Sequence, residues 1–117
     1  MSGIVFLGTN KLAELTEFYH KKIGCEIWLE QADCKIFRHG NFLLGFCQRE
    51  AVNNDGIITF FFDDKNEVDK FYIKFKSLAE AAPIDNEKYE IYHFFIRDPE
   101  GRKVEFQYFY SEVDPPT

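Results

Sequence analysis

The chain has 117 residues, 45% of them hydrophobic, and a formal net charge of -6. Length and apolar content match a single domain, 1–117, with its own core. The interspersed charges disfavour binding to nucleic acid, which needs clustered Lys and Arg. No apolar run approaches the roughly 20 residues of a membrane span, and the first residues do not have the basic and apolar regions expected of a signal peptide. We therefore expect a soluble cytoplasmic protein with neither nucleic acid nor membrane as partner.

The first half predicts a strand, a helix and three further strands. IVFLGT at 4–9 is typical of a buried strand, and Thr9 or Asn10 can cap the helix that follows. Apolar residues recur in that helix at three- and four-residue steps, and Gly24 can close it. Three strands follow, with the turn RHGN before the last: CEIWLEQ, CKIFR and FLLGFCQ.

Three cysteines occur in this half, at Cys25, Cys34 and Cys47. Their number is odd and no C-x-x-C pair occurs, so the spacing indicates neither a disulfide framework nor a zinc ribbon. We expect buried, reduced thiols.

The second half begins after a linker of turn-forming residues at 49–56. IITFFF predicts a strand buried on both faces, and Asp64 with Glu67 spells a capping box. The next helix should carry an apolar stripe that extends to Leu78 and Ala79. A short strand near 82–84, a long hairpin turning at RDPEG and a polar tail at 111–117 complete the chain.

The two halves resemble each other. An ungapped shift of 53 residues places Phe18 and Tyr19 on Phe71 and Tyr72, and strand falls on strand and helix on helix. A repeat present only twice predicts two supersecondary modules rather than a solenoid. Their bounds are about 4–48 and 57–110.

These modules, together with the ending D-P-E-G-x-x-x-E from Asp98 to Glu105, resemble the vicinal oxygen chelate superfamily of glyoxalases, bleomycin-resistance proteins and extradiol dioxygenases. The resemblance implies an α+β fold in which two tandem βαβββ modules form a curled mixed sheet with helices on its convex side. It also implies a homodimer and four metal-ligand positions, on the first and last strand of each module.

Only one of those positions carries a metal-binding side chain. Glu105 matches the acidic ligand, whereas Ile4 and Ile57 match the first-strand ligands, and Leu44 or its neighbour Gly45 matches the remaining one. A lone carboxylate cannot retain zinc, iron or manganese, so we expect no metal and no other cofactor.

The histidines do not replace the missing ligands. His20 lies near a helix end and His39 in a turn. If residue 98 lies opposite 101 in the last hairpin, Glu105 pairs with Phe94, and His93 then faces the helix side, unless a bulge reverses the face.

Strand alternation from Glu105 predicts the residues that line the concave side. The predicted ligand-binding set is Phe6, Phe42, Leu44, Phe46, Thr59, Phe61, Tyr92, Phe94, Lys103, Glu105 and Gln107. Such a cavity suits a flat apolar molecule held by stacking and a few hydrogen bonds. The alternative is a cavity filled by its own phenylalanines.

Three functions fit this pattern. The first is a metal-free protein of the bleomycin-resistance type that holds a small aromatic or cationic ligand with Glu105 as its polar anchor. The second is a lyase or isomerase of the glyoxalase type, in which Glu105 is the catalytic base and a divalent metal is bound by ligands that the mapping misplaces. The third is a scaffold whose dimer surface is its function.

Overall fold

The computed structural model describes residues 1–116 of the chain. They form two compact units, Met1–Asn54 and Asp55–Pro115, whose boundary falls within the predicted linker. Within residues 1–116, no helix has the length and apolar character needed to span a bilayer.

The first unit contains one helix and a four-stranded sheet. Its elements are β1 (Val5–Thr9), α1 (Leu12–Thr16), a π-helical segment (Glu17–Ile23), β2 (Glu26–Glu30), β3 (Cys34–His39) and β4 (Phe42–Gln48). The strand order is β1-β4-β3-β2, with β1 parallel to β4 and the other pairs antiparallel.

The second unit repeats this arrangement. Its elements are β5 (Ile57–Phe62), α2 (Lys65–Phe75), β6 (Ile84–Asn86), β7 (Ile91–Arg97) and β8 (Lys103–Phe109). The order is β5-β8-β7-β6, and β5 runs parallel to β8. The predicted α+β fold of two tandem βαβββ modules is confirmed.

The predicted cap is confirmed at α2, where Asp64 Oδ1 accepts the N–H of Asn66 at 2.9 Å. The predicted cap of α1 at Thr9 or Asn10 is wrong, because the N-cap is Lys11, which makes no side-chain cap hydrogen bond; Thr9 Oγ1 instead accepts the N–H of Lys11 at 3.0 Å. The capping box is not complete, because the Glu67 carboxylate pairs with Lys70 instead. The predicted stripe is also too long: α2 ends at Phe75, and Leu78 is 46% exposed.

Aromatic side chains join each helix to one face of its sheet. In the first unit, Tyr19 stacks on Phe46 with ring centroids 5.2 Å apart. In the second unit, Phe106 of β8 contacts Phe71 of α2 at 5.0 Å and Phe94 of β7 at 5.2 Å. Each helix therefore covers one face of its sheet.

The prediction that β5 is buried on both faces is wrong. Ile57 and Phe61 are 55% and 41% exposed, whereas Phe60 is buried. The reason is that β5 is an edge strand whose Phe60 and Phe62 pack on the helix side, and its other side chains point to the opposite face.

The last hairpins of the two units, β3–β4 and β7–β8, have loops of different length. His39 pairs directly with Phe42 across a two-residue loop, whereas Asp98 donates its N–H to the Arg102 carbonyl at 3.0 Å across three residues. The longer loop is a turn closed by Gly101 at φ 83°, a conformation that favours glycine. Asp98 Oδ1 accepts the N–H groups of Glu100 and Arg102, so the D-P-E-G motif fixes this turn.

The expectation of three reduced cysteines is wrong. Cys34 and Cys47 form a disulfide, and Cys25 alone is a free thiol within the described chain. The two residues face each other across β3 and β4 with their Cα atoms 4.0 Å apart, close enough for a bond. The hairpin already contained this information, because pairing 39 with 42 places 34 opposite 47.

Candidate functional site

The candidate site lies on the face of the second sheet that is opposite helix α2. The parallel pairing of β5 with β8 places Thr59 beside Glu105. The antiparallel pairing of β7 with β8 places Phe95 beside Glu105 and His93 beside Gln107. Since paired residues share a face, these five side chains form one cluster.

The Glu105 carboxylate is the centre of the cluster and is only 7% exposed. Its Oε1 accepts a hydrogen bond from the Thr59 hydroxyl at 2.7 Å, and its Oε2 lies 2.6 Å from His93 Nδ1. Both oxygens are therefore engaged by side chains of neighbouring strands. This pairing offsets the cost of burying the carboxylate.

The bond to Glu105 fixes the tautomer of His93. An ionised carboxylate only accepts hydrogen bonds, so Nδ1 must carry the proton that it donates. In the neutral ring, Nε2 is then the unprotonated nitrogen and a hydrogen-bond acceptor. The carboxylate thus orients the imidazole and leaves one ring nitrogen for another partner.

Two polar groups of this face make no hydrogen bond to the protein. Within residues 1–116, neither His93 Nε2 nor the Gln107 amide bonds to another protein group, although both residues are 8% exposed. No fully buried side-chain nitrogen or oxygen of the described chain lacks a partner, so these atoms retain access to solvent. They are the polar groups of this face that no protein group occupies.

The surroundings of the polar cluster are apolar. The His93 ring lies edge-on to Phe95 at 5.1 Å, and Lys103 Nζ lies 4.8 Å from the Phe95 ring centroid. Ile57 and Phe61 of β5 add exposed apolar surface to the same face. The face combines one hydrogen-bonded anionic centre with surfaces that can contact a flat apolar molecule.

The structure brings together about half of the predicted lining residues. Thr59, Phe61, Lys103, Glu105 and Gln107 share this face, as the register requires.

Tyr92 and Phe94 do not belong to that group. The Tyr92 hydroxyl bonds Asp69 of α2 at 2.6 Å, and the Phe94 ring meets Tyr72 of α2 at 5.5 Å, so both lie on the helix side. The predicted helix-side position of His93 is also wrong. The turn is one residue longer than predicted, and this difference shifts every β7 side chain to the other face.

The first unit shows the same one-residue correction. Phe42, Leu44 and Phe46 alternate on the side of the sheet where Phe46 meets Tyr19 of the helical segment. The register pairs Phe6 with Gly45 as it pairs Thr59 with Glu105. Gly45 rather than Leu44 is therefore the counterpart of Glu105, and Phe6 alone of the predicted first-unit residues lies opposite the helix.

These positions do not fit a family-type metal ion. The predicted first-strand positions, Ile4 and Ile57, carry no donor, and the register places Phe6 and Thr59 rather than these residues beside Gly45 and Glu105. The four positions therefore supply one carboxylate, and both of its oxygens already accept hydrogen bonds. The described residues contain no group of three or more His, Cys, Asp or Glu side chains able to hold a metal. Transition metals require more donors than this set provides.

Comparison with known proteins identifies related structures but no sequence family. No protein-family model matches the chain, and no curated protein matches it. Lactoylglutathione lyase from Agrobacterium tumefaciens superposes with a TM-score of 0.75 and 25% identity, over 92% of each chain.

Two further structures agree with this result. A glyoxalase/bleomycin resistance protein/dioxygenase from Alicyclobacillus acidocaldarius gives a TM-score of 0.74 at 20% identity, over 95% of this chain and 92% of the other. An integron cassette protein from the mobile metagenome of the Halifax Harbour sewage outfall gives 0.79 at 16% identity, over 93% and 98%. The chain therefore has the fold of the glyoxalase/bleomycin resistance protein/dioxygenase structures, as its resemblance to the vicinal oxygen chelate superfamily predicts.

Proposed function

We propose that the chain is a metal-free, small-molecule-binding protein whose ligand sits on the Glu105 face of the second unit. The observation that supports this proposal is the buried Glu105 carboxylate, with both oxygens engaged and His93 held so that Nε2 stays available. A purely structural ion pair would not need an open ring nitrogen next to an open Gln107 amide. Those two groups are the polar contacts that the proposed ligand would use.

Charge and shape narrow the class of ligand. The carboxylate of Glu105 and the Gln107 amide oxygen are hydrogen-bond acceptors on a largely buried face, which favours a cation or a group that donates hydrogen bonds. Ile57 and Phe61 offer apolar contact to the rest of the molecule. We therefore propose a flat aromatic compound with an amine or another N–H donor.

A thermal-shift screen against small aromatic amines, neutral aromatics and aromatic acids tests this proposal. A ligand that binds only the folded state raises the melting temperature in proportion to RT ln(1 + [L]/Kd). We expect amines to stabilise the protein and acids to have no effect. Glu105→Gln should abolish the preference for amines over neutral aromatics, because it removes the negative charge.

The control variants locate the effect. His93→Gln keeps a donor for Glu105 but removes the ring acceptor, so it should weaken binding. His39→Gln changes a histidine in a hairpin of the other unit and should leave binding unchanged. Stabilisation that persists equally in all three variants would place the ligand elsewhere and refute the proposal.

The second candidate is a lyase or isomerase of the glyoxalase type. The observation that favours it is the 2.6 Å bond between His93 and Glu105, since a carboxylate partner stabilises the imidazolium that forms when a histidine takes a proton. This geometry transfers the predicted role of base from Glu105 to His93, with Glu105 as the positioning residue. The donor set described above gives no support to a divalent metal in this reaction.

Elemental analysis of the purified protein separates the metal-dependent form of this candidate from the proposal. A stoichiometric divalent metal that survives dialysis would favour the glyoxalase-type enzyme, whereas its absence after growth in metal-rich medium supports metal-free binding. For the metal-free reaction, we would measure exchange of a proton next to a carbonyl in ligands found by the screen. Exchange that is lost in His93→Gln at ligand concentrations that saturate the variant would establish catalysis by His93.

A further inference from the structure

The first unit has a disulfide on the face of its own sheet that corresponds to the face of the candidate site in the second unit. The pair Cys34–Cys47 lies beside the pair Ile36–Gly45, as His93–Gln107 lies beside Phe95–Glu105. We propose that this disulfide is a reversible redox site that exchanges with low-molecular-weight thiols. The inference does not depend on the ligand proposed for the second unit.

A groove gives small molecules access to the disulfide. It has a volume of about 710 Å³, and both half-cystines line it together with Phe6, Gly8, Gln31, Arg49 and Glu50, among others. Side-chain contacts hold the residues around the groove in place. Asn53 Oδ1 accepts the Gly8 N–H at 2.7 Å, and the Arg49 guanidinium pairs with the Asp33 carboxylate at 2.6 Å. Cys34 and Cys47 are 7% and 9% exposed, so the groove is the route by which we propose that a thiol approaches the sulfur atoms.

The strands remain paired when the disulfide opens. The N–H of Gln48 bonds the Asp33 carbonyl at 2.8 Å, and the N–H of Gln31 bonds the Cys34 carbonyl at 2.9 Å. The pairing of β3 with β4 extends from Cys34 to His39. Reduction thus leaves two thiols facing each other on one hairpin, which favours closure of the same bond upon oxidation.

The third cysteine cannot compete in this exchange. Cys25 is 2% exposed, and burial raises the pKa of its thiol to about 12. The thiolate is the form that attacks a disulfide, so Cys25 is inert at neutral pH. The chain therefore contains one reactive pair and one unreactive thiol, which serves as an internal reference.

The exchange proceeds in two steps. A thiolate of the small molecule attacks one half-cystine sulfur, the S–S bond breaks, a mixed disulfide forms, and the other cysteine leaves as a thiolate. A second small thiol then attacks the mixed disulfide. The products are two protein thiols and one oxidised small-molecule disulfide, so the protein gains the two electrons and two protons that the two small thiols lose.

Alkylation followed by intact-mass measurement tests the proposal. Without reductant, the denatured chain should incorporate one alkyl group, on Cys25. After incubation of the folded protein with millimolar reduced glutathione, native alkylation should label Cys34 and Cys47 and leave Cys25 unmodified. Addition of oxidised glutathione should restore the disulfide, and circular dichroism should be unchanged throughout.

A pair of matched variants tests the groove as the route of access. Glu50→Trp places a bulky ring at the groove, and Glu112→Trp makes the same change in the other unit. We expect the first to slow reduction by about fivefold or more and the second to have no effect. Three alkylated cysteines in the unreduced chain, reduction only at urea concentrations that unfold the protein, or equal rates in the two variants would overturn the proposal.

Discussion

Replacement of Thr59 by valine tests whether the buried carboxylate depends on its neighbours. The change keeps the shape of the side chain and removes only the hydroxyl that donates to Glu105 Oε1 at 2.7 Å. Glu105 is 7% exposed, so water cannot readily replace this donor. A hydrogen bond to a charged group contributes about 1.5–3 kcal/mol, and we expect a loss of that size in the free energy of unfolding.

Thr16→Val is the matched control for this substitution. The Thr16 hydroxyl donates to the Leu12 carbonyl at 2.8 Å, a neutral acceptor on the same helix. Its loss should cost about 0.5 kcal/mol, because a side-chain bond back to a helix carbonyl contributes little. Urea titrations at equal pH measure both values, provided that the m-value is unchanged.

A double-mutant cycle with Glu105→Gln isolates the role of charge. In the Glu105→Gln background the acceptor is neutral, so Thr59→Val should cost about 1 kcal/mol less than in the wild type. Equal losses in the two backgrounds, or a Thr59→Val loss no larger than that of Thr16→Val, would refute the account of Glu105 as a buried charge held by its neighbours.

Three further predictions concern other parts of the chain. The hydrogen bond to Asp69 and burial raise the pKa of Tyr92 from 10.0 to about 12, so the folded state holds this proton more tightly than the unfolded state. The corresponding stability is present below pH 10 and is lost as the pH rises to 12. Tyr92→Phe should therefore flatten the decline of the free energy of unfolding over this pH range in urea titrations. Gly8→Ala should destabilise the fold by about 1–3 kcal/mol, because the new Cβ would lie 2.4 Å from the Ala51 carbonyl oxygen. Gly45→Ala should cost less, because its neighbour is the half-exposed ring of Phe6, which can move. Equal losses in the two variants would contradict this reasoning. Sedimentation velocity should give a particle of twice the 13.8 kDa chain mass, as expected of a homodimer, and a single monomeric species at all concentrations would contradict it.

The fold could be predicted from the sequence because its signals are local and repeated. Apolar periodicity marks each helix, turn residues separate the strands, and the two copies support each other. The π-helical segment at Glu17–Ile23 was missed, since its residues have the same apolar spacing as an α-helix. The sequence also predicts an apolar stripe of α2 that extends to Leu78 and Ala79, although the helix ends at Phe75. An apolar residue just past a helix end has the same spacing in the sequence as one within the helix.

The candidate site could be predicted only in part, because it depends on sheet register. The sequence predicts both strands of the last hairpin, but it places Asp98 opposite Gly101. In the structure Asp98 lies opposite Arg102. One residue of error moved His93 away from Glu105 and put Tyr92 and Phe94 in its place. Proline followed two residues later by glycine is typical of the three-residue loop, so the sequence did contain a signal for the correct register.

The two units show how one scaffold can carry different chemistry at corresponding positions. The first-strand and last-strand pair is Phe6–Gly45 in one unit and Thr59–Glu105 in the other. A Cβ on Gly45 would lie 2.5 Å from the Phe6 ring. In the first unit the Phe6 ring therefore occupies the space beside the last strand that the Glu105 carboxylate occupies in the second unit. Both pairings preserve the same strand register and leave the helix-side packing untouched. Substitutions on this face can therefore accumulate with little effect on the fold, which is why the fold is similar to that of proteins sharing only 16–25% identity.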